Sequence, residues 1–120
     1  MNQLDIAPGA FIAAVGADNE EKQELDPKIL VSAKVVTDLT AQCSRIGDLH
    51  HALSLGLLRE SDVYSELGEI VAGKRAGRTS KHEITIFDST GIALQDVAAA
   101  TLVYEKALSA GTGKLFHLNQ

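Results

Sequence analysis

A chain of 120 residues is long enough for one domain with a modest hydrophobic core, but not for two. Its net charge of −5 disfavours binding to nucleic acids and anionic membranes, and a single cysteine, Cys43, excludes an internal disulfide and a thiolate zinc cluster. The N-terminus has no basic stretch leading into a long apolar run, and the most apolar helical segment carries charged residues, so we expect neither a signal peptide nor a membrane span. These features predict a cytoplasmic protein.

Three internal strands and one terminal strand are predicted from short runs of apolar and β-branched residues. Residues 10–15 (AFIAAV) lie between two glycines, which is the pattern of a strand buried on both faces. Two further strands are predicted from apolar and β-branched residues, at 34–39 (KVVTDL) and at 83–88 (EITIFD). The sequence KLFHL at 114–118 predicts a short final strand.

Helices are predicted between the strands. Asp26 followed by Pro27 marks the start of a short helix, because proline suits the first helical position. Further helices are predicted at 40–47, at 48–58 with an interruption at Gly56, at 61–73, and at 92–111, each of the last two ending in glycine. Strands that alternate with helices in this way predict a parallel α/β sheet.

Parallel sheets bind ligands beyond the carboxyl ends of their strands, and two polar groups are expected there. Asp18 follows the first strand, and Ser89 and Thr90 follow Asp88 at the end of the third. Asp18 either serves only as a turn residue or directs its carboxylate at a ligand. Ser89 or Thr90 either caps the long helix, or the amides at that helix start face an anion or a carboxamide. Spacing alone favours the structural role in both cases.

Other short motifs do not fit the chemistry they suggest. The GTGK sequence at 111–114 lacks the Walker pattern, since leucines stand where a glycine and a Ser or Thr are required. His50 and His51 are adjacent and diverge on a helix, so we expect no metal site. Cys43 has no evident activating partner and is expected to be packed rather than reactive.

The predicted long helix is apolar around most of its circumference, as expected for a helix buried on nearly all sides. One layer of helices and three strands cannot cover that surface in so small a chain. We therefore expect a second copy or a further domain to cover the helix.

Five blocks in order resemble the carboxyl-terminal part of the ornithine cyclodeaminase/mu-crystallin family, which includes an archaeal type of alanine dehydrogenase. They are GAFIAAVGAD, KQELDPKIL, GDLHHAL, ELGEIVAGKRAGR and EITIFDSTGIALQDVAAATLVYEKA. The resemblance implies that residues 1–90 are the carboxyl-terminal part of a Rossmann-like NAD(P)-binding domain with flanking helices. It implies that residues 91–120 give a long helix and terminal strand to a dimerisation and substrate domain.

The same resemblance implies roles for individual residues. Asp18 stands where the family has its catalytic acid/base, beside the nicotinamide and the substrate amine. The residues implied to contact the NAD or NADP cofactor are Val15, Gly16 and Ala17 on the nicotinamide side, Lys22 in the following loop, and Ser89 and Thr90 close to the carboxamide.

The chain departs from the family because it has no GxGxxG motif and no counterpart of the family's amino-terminal substrate-binding arginine and lysine. We therefore expect a truncated relative of an NAD-dependent amino-acid cyclodeaminase or dehydrogenase, inactive as an isolated chain. One alternative is a non-catalytic α/β homo-oligomer joined through the helix at 92–110. Another is one half of an enzyme completed by a separate amino-terminal half, which would hold the residues that choose the amino acid and NAD or NADP.

Overall fold

The computed structural model describes residues 6–116 and contains a parallel four-stranded sheet. The strands are β1 (Phe11–Ala14), β2 (Lys34–Thr37), β3 (Ser65–Glu66) and β4 (Thr85–Asp88), in the order β1-β4-β2-β3. Ala14 and Thr37 both pair with Asp88, so three strands end level with one another at one edge. The predicted parallel α/β class is confirmed.

Five helices connect and follow the strands within the described residues. They are α1 (Pro27–Val31), α2 (Thr40–Ile46), α3 (Asp48–Ser54), α4 (Leu67–Val71) and α5 (Ala93–Ala110), with a 3₁₀ turn at Glu60–Asp62. As predicted, Asp26 caps α1 by accepting a hydrogen bond from the backbone N–H of Lys28. Gly111 ends α5 in the left-handed conformation that glycine adopts without strain.

The helix predicted at 61–73 is wrong over its first half. Ser65 and Glu66 instead form β3, which pairs with Val36 and Thr37 of β2, and the α-helix in this range spans Leu67–Val71. The apolar spacing there fits a helix, but pairing with a central strand satisfies the backbone of this segment first. The predicted final strand is also wrong where it can be assessed, since residues 114–116 lie in no strand, and residues 117 and 118 lie outside the described residues.

The hydrophobic core lies on one face of the sheet. Its largest buried side chains come from α1, α3, and the middle of β4, and include Ile29, Leu30, Leu49 and Ile86. The opposite face carries an apolar hollow of about 170 Å³ that Phe11 and Phe87 line together with α4, and Phe11 is 64% exposed. The sheet is therefore covered by helices mainly on one side.

Helix α5 extends away from this body. Within the described residues, none of its side chains is buried, and Val97, Tyr104 and Leu108 are each more than 60% exposed. The Cα radius of gyration, 17.9 Å, exceeds the value of about 14 Å typical of a compact chain of this length. In the part of the chain that the structure describes, no helix combines the length and apolarity needed to span a bilayer.

Gly47, which joins α2 to α3, lies against a buried carboxylate. A Cβ atom added at Gly47 would lie 2.6 Å from Oδ2 and 2.9 Å from Oδ1 of Asp88. We expect Gly47→Ala to lower the free energy of unfolding by about 1–3 kcal/mol, because the carboxylate must shift from its hydrogen bonds. Urea unfolding followed by circular dichroism measures this.

Gly68→Ala is the matched control, because nothing lies within 4 Å of a Cβ at Gly68 in α4, where alanine is the better helix former. Gly68→Ala should leave stability unchanged or raise it. An equal loss in both variants would contradict the close approach at Gly47.

Candidate functional site

Two of the predicted site segments meet at the carboxyl edge of the sheet. The backbone N–H of Ser89 donates to the carbonyl of Ala14 at 2.9 Å, so the turn after β4 is tied to the last residue of β1. Residues 15–18 begin directly after that carbonyl. The edge therefore joins the segment with Asp18 to the turn with Ser89 and Thr90.

The segment after β1 is held down by Glu24. The N–H of Gly16 donates to Oε2 of Glu24 at 2.8 Å, and a Cβ at Gly16 would come within 2.5 Å of Oε1 of the same carboxylate. Ala17 is buried, whereas Val15 is 61% exposed. This arrangement turns Val15 outward on a short loop whose backbone is fixed.

Asp18 forms an exposed ion pair with Lys22, whose Nζ lies 2.5 Å from Oδ1. The hydrogen bond and the positive charge of Lys22 lower the pKa of Asp18 below its ordinary value. Lys22 is oriented by Asn19, whose side-chain oxygen accepts its N–H at 3.0 Å, and by His51, whose Nε2 lies 2.8 Å from its carbonyl. Asp18 is thus an ionised carboxylate, the form that can accept a proton.

Asp38 lies at the end of β2 and was not among the predicted site residues. Its Oδ2 accepts hydrogen bonds from the Ser89 hydroxyl (2.8 Å) and from the N–H groups of Thr90 (3.0 Å) and Gly91 (2.9 Å). Burial acts to raise the pKa of Asp38, but the hydrogen bonds outweigh it and the pKa is lowered. Its place just after an apolar strand is the signal that could have found it, the same signal that drew attention to Asp88.

Both sequence interpretations of the turn after β4 need correction. Helix α5 begins after Ile92, and no side chain within the described residues caps it, so neither Ser89 nor Thr90 is the helix cap. The amides of Thr90 and Gly91 are not turned toward a ligand anion, because both donate to Asp38. Gly91 has φ of +78°, a left-handed conformation that lets the chain leave the strand sharply.

Asp88 is buried beneath the start of α3. Its carboxylate accepts the N–H of Asp48 at 3.3 Å and that of Leu49 at 2.8 Å. Burial raises the pKa of Asp88 to about 6, and the nearby charges of Asp48 and Asp38 act in the same direction. The group therefore titrates close to neutral pH, although it faces the core rather than the edge.

Cys43 is packed, as predicted. Its thiol donates to Oδ1 of Asp38 at 3.1 Å and lies 3.4 Å from the carbonyl of Asp88. Burial raises the pKa of Cys43 to about 12, with the charge of Asp88 contributing. The thiol is therefore protonated and not nucleophilic at neutral pH.

A separate cleft of about 540 Å³ opens at the same edge, between α4 and the start of α5. Its lining is mostly apolar, and its polar lining residues are Asp38, Glu66 and Gln95. Glu66 is engaged there, since its Oε1 accepts the N–H of Thr40 at 2.9 Å. None of the residues predicted to bind cofactor lines this cleft.

Comparison with known proteins finds a matching family and similar enzymes over most of the chain. A model of the ornithine cyclodeaminase/mu-crystallin family matches residues 2–111. Alanine dehydrogenase of Archaeoglobus fulgidus is 49% identical over 108 residues, which are 90% of this chain and 34% of that protein. Iminosuccinate reductase of Paracoccus denitrificans is 48% identical over 103 residues, which are 86% of this chain and 32% of that protein.

Solved structures give the same result. An archaeal alanine dehydrogenase dimer with bound NAD superimposes with a TM-score of 0.85 at 47% identity, over 94% of this chain and 35% of that one. The Δ1-pyrroline-2-carboxylate reductase of Thermococcus litoralis, in complex with NADH and L-proline, gives 0.89 at 34% identity, over 97% and 36%. The chain therefore spans about a third of the length of these relatives.

The raised pKa of Asp88 predicts a distinctive pH dependence of stability. The folded protein holds this proton up to about pH 6, whereas the unfolded chain releases it near the ordinary value of 3.8, so protonation favours the folded state. As the pH falls from 7 to 4, the free energy of unfolding should rise relative to Asp88→Asn by up to about 3 kcal/mol. Urea unfolding at each pH measures the difference.

Asp96→Asn, on the exposed surface of α5, is the matched control and should keep the wild-type pH profile. A wild-type profile in Asp88→Asn as well would show that Asp88 does not titrate in this range.

Proposed function

Because the chain belongs to the ornithine cyclodeaminase/mu-crystallin family, we propose that it forms the nicotinamide side of an NAD(P)-dependent site acting on amino acids or their imines. The names of the relatives, an alanine dehydrogenase and an iminosuccinate reductase among them, support this class of reaction. The observation that carries the proposal is the hydrogen bond between Ser89 and Ala14, which puts both predicted site segments at one edge of the sheet.

Asp18 is proposed as the acid/base of this site. When bound, the oxidised cofactor supplies a hydride acceptor for the α-carbon of an amino acid. Asp18 then accepts a proton from the substrate amine, which leaves an imine that is hydrolysed or cyclised, and it returns the proton in the reductive direction. The ionised and exposed state of Asp18 suits it for taking that proton.

The remaining predicted residues are proposed to hold the cofactor. The exposed side chain of Val15 and the exposed Gly16 are proposed to face the nicotinamide ring, and the buried Ala17 to support them from beneath. Ser89 and Thr90 are half-buried beside that surface and are assigned to the carboxamide. Lys22 is proposed to lie next to the cofactor, where its positive charge holds the pKa of Asp18 low.

We propose that residues 1–90 contribute to the cofactor domain and residues 91–120 to a dimerisation and substrate domain. The chain has no glycine-rich phosphate loop, whose amides hold the pyrophosphate in Rossmann domains. It should therefore bind the cofactor weakly by itself, and turn over no amino acid without the rest of the active site. The single buried cysteine is consistent with the reducing cytoplasm as its location.

A charge-based test distinguishes Asp18 from other acidic residues. The oxidised nicotinamide ring is positively charged and the reduced ring is neutral, so a carboxylate beside the ring favours NAD⁺ over NADH. We expect Asp18→Asn to weaken NAD⁺ binding about fivefold and NADH binding less than about twofold, because only the oxidised ring carries a charge that the carboxylate attracts. Ligand-observed NMR and NADH fluorescence measure the two affinities.

Glu60→Gln, in the exposed 3₁₀ turn that precedes β3, removes a carboxylate charge away from the carboxyl ends of the strands and should change neither affinity. If Asp18→Asn leaves NAD⁺ binding unchanged, Asp18 does not face the ring. If the wild-type chain binds neither form, the cofactor site is not retained in this chain and the non-catalytic alternative is favoured.

The exposed apolar face of α5 supports a further proposal, that this helix joins two copies of the chain. Leu94, Val97, Tyr104 and Leu108 lie along one side of α5 and are all more than 60% exposed. Such a stripe needs a partner, and the similar alanine dehydrogenase structure is a dimer.

We expect Val97→Glu to shift the chain from an oligomer to a monomer, because it places a charge in the centre of the stripe. Lys106→Glu introduces a carboxylate on the opposite side of α5 and should leave the oligomer intact. Sedimentation velocity measures the mass. A wild-type protein that stays at 12.7 kDa at high concentration would contradict self-association.

A further inference from the structure

Asp38 orients three donors of the turn after β4, namely the Ser89 hydroxyl and the N–H groups of Thr90 and Gly91. Within the described residues, its Oδ2 takes three hydrogen bonds from this turn, and its Oδ1 takes the N–H of Leu39 at 2.7 Å and the thiol of Cys43. An ionised carboxylate only accepts hydrogen bonds, so each of these groups must point its proton at Asp38. Asp38 therefore holds the turn through the amides of Thr90 and Gly91 and through the side chain of Ser89 at once.

For the Ser89 hydroxyl, the direction of hydrogen bonding is fixed. A serine hydroxyl has a single proton, and here it is donated to Asp38 across 2.8 Å. The Ser89 oxygen therefore offers only lone pairs to anything that approaches from outside. A ligand must bring a donor to this residue.

The Thr90 hydroxyl, in contrast, can act as a hydrogen-bond donor toward a ligand. Nε2 of Gln42 lies 2.9 Å from the Thr90 hydroxyl oxygen and 2.7 Å from the carbonyl of Gly91. Since a carbonyl can only accept, the Gln42 amide must donate here, which occupies a lone pair of Thr90. Within the described residues, the Thr90 proton then has the sulfur of Cys43, at 4.0 Å, as its one hydrogen-bonding neighbour, and it remains available to a stronger acceptor on a ligand.

We propose that Asp38, assisted by Gln42, is a positioning residue that makes this turn a receptor for a primary amide, with Ser89 accepting from its NH₂ group and Thr90 donating to its oxygen. The inference rests on the proposed NAD site, where that amide is the nicotinamide carboxamide. Asp38 itself does not touch the ligand in this scheme. Asp38 instead determines which hydrogen-bonding groups of the turn are available to the ligand.

The positioning can be tested without ligand. In Asp38→Asn, hydrogen exchange at the amides of Thr90 and Gly91, followed by NMR, should be at least tenfold faster than in the wild type. The amides of Lys34 and Thr85, which are bonded within the sheet, serve as internal references and should be unchanged. Unchanged exchange at Thr90 and Gly91 would overturn the role of Asp38.

The recognition is tested by comparing two reduced cofactors, NADH and its 3-acetylpyridine analogue, in which a methyl group replaces the amide NH₂. The wild type should prefer NADH about fivefold, the equivalent of one hydrogen bond. Both Ser89→Ala and Asp38→Asn should reduce that preference toward one, and Ser89→Thr, which keeps a hydroxyl, should restore it. Ser89→Ala leaves both backbone bonds to Asp38 and so remains informative if Asp38→Asn does not fold.

The possible outcomes distinguish recognition of the amide from binding of the cofactor itself. Binding of both cofactors with equal affinity by the wild type would overturn amide recognition while leaving the cofactor site in place. Binding of neither would overturn the cofactor site, and the amide receptor with it. A preference for NADH that survives Ser89→Ala would assign the discrimination to another residue.

Discussion

The architecture at the carboxyl ends of the strands depends on buried carboxylates that accept backbone N–H groups. At the carboxyl end of a parallel sheet the chain leaves each strand into loops and helix starts, whose amides have no partner in the sheet. Asp88 takes the first two amides of α3, and Asp48 takes those of Glu24 and Leu25 at 2.9 Å each. Asp38 does the same for the turn after β4. Without these acceptors, several buried amides would each cost about 1–3 kcal/mol.

These contacts also link segments that are distant in sequence. Asp48, at the start of α3, holds the backbone of Glu24, and the Glu24 carboxylate in turn holds the N–H of Gly16. Asp88 fixes α3 itself against the end of β4. The loop that carries Asp18 is thereby positioned from the core by a short series of charge-assisted hydrogen bonds, which are stronger than neutral ones. The same series explains why Gly47 must lack a side chain.

The sequence predicted what depends on local pattern and missed what depends on long-range pairing. The strands at β1, β2 and β4, the Asp26 cap and the Gly111 end of α5 follow from apolar runs and from proline and glycine positions. Strand β3 did not, because its two residues are strand only by pairing with β2. The capping role expected of Ser89 was wrong for a related reason, since the deciding partner, Asp38, lies 51 residues away in the chain. The spacing of neighbouring residues cannot predict a contact with a carboxylate at the end of another strand.

The state of Asp18 bears on its proposed acid/base role, because the chain spans about a third of the length of its relatives. A residue that both takes and returns a proton works best with a pKa near the operating pH, but Lys22 lowers the pKa of Asp18 while solvent surrounds the pair. Covering the edge with cofactor, substrate and the remaining two thirds of a family enzyme would desolvate the carboxylate and raise its pKa toward neutrality. Under the proposed function, the present ion pair would be the open state of the acid/base. The exposed Asp18 and the uncovered α5 would then have one cause, because both surfaces would acquire their working environment only against the rest of an assembled enzyme.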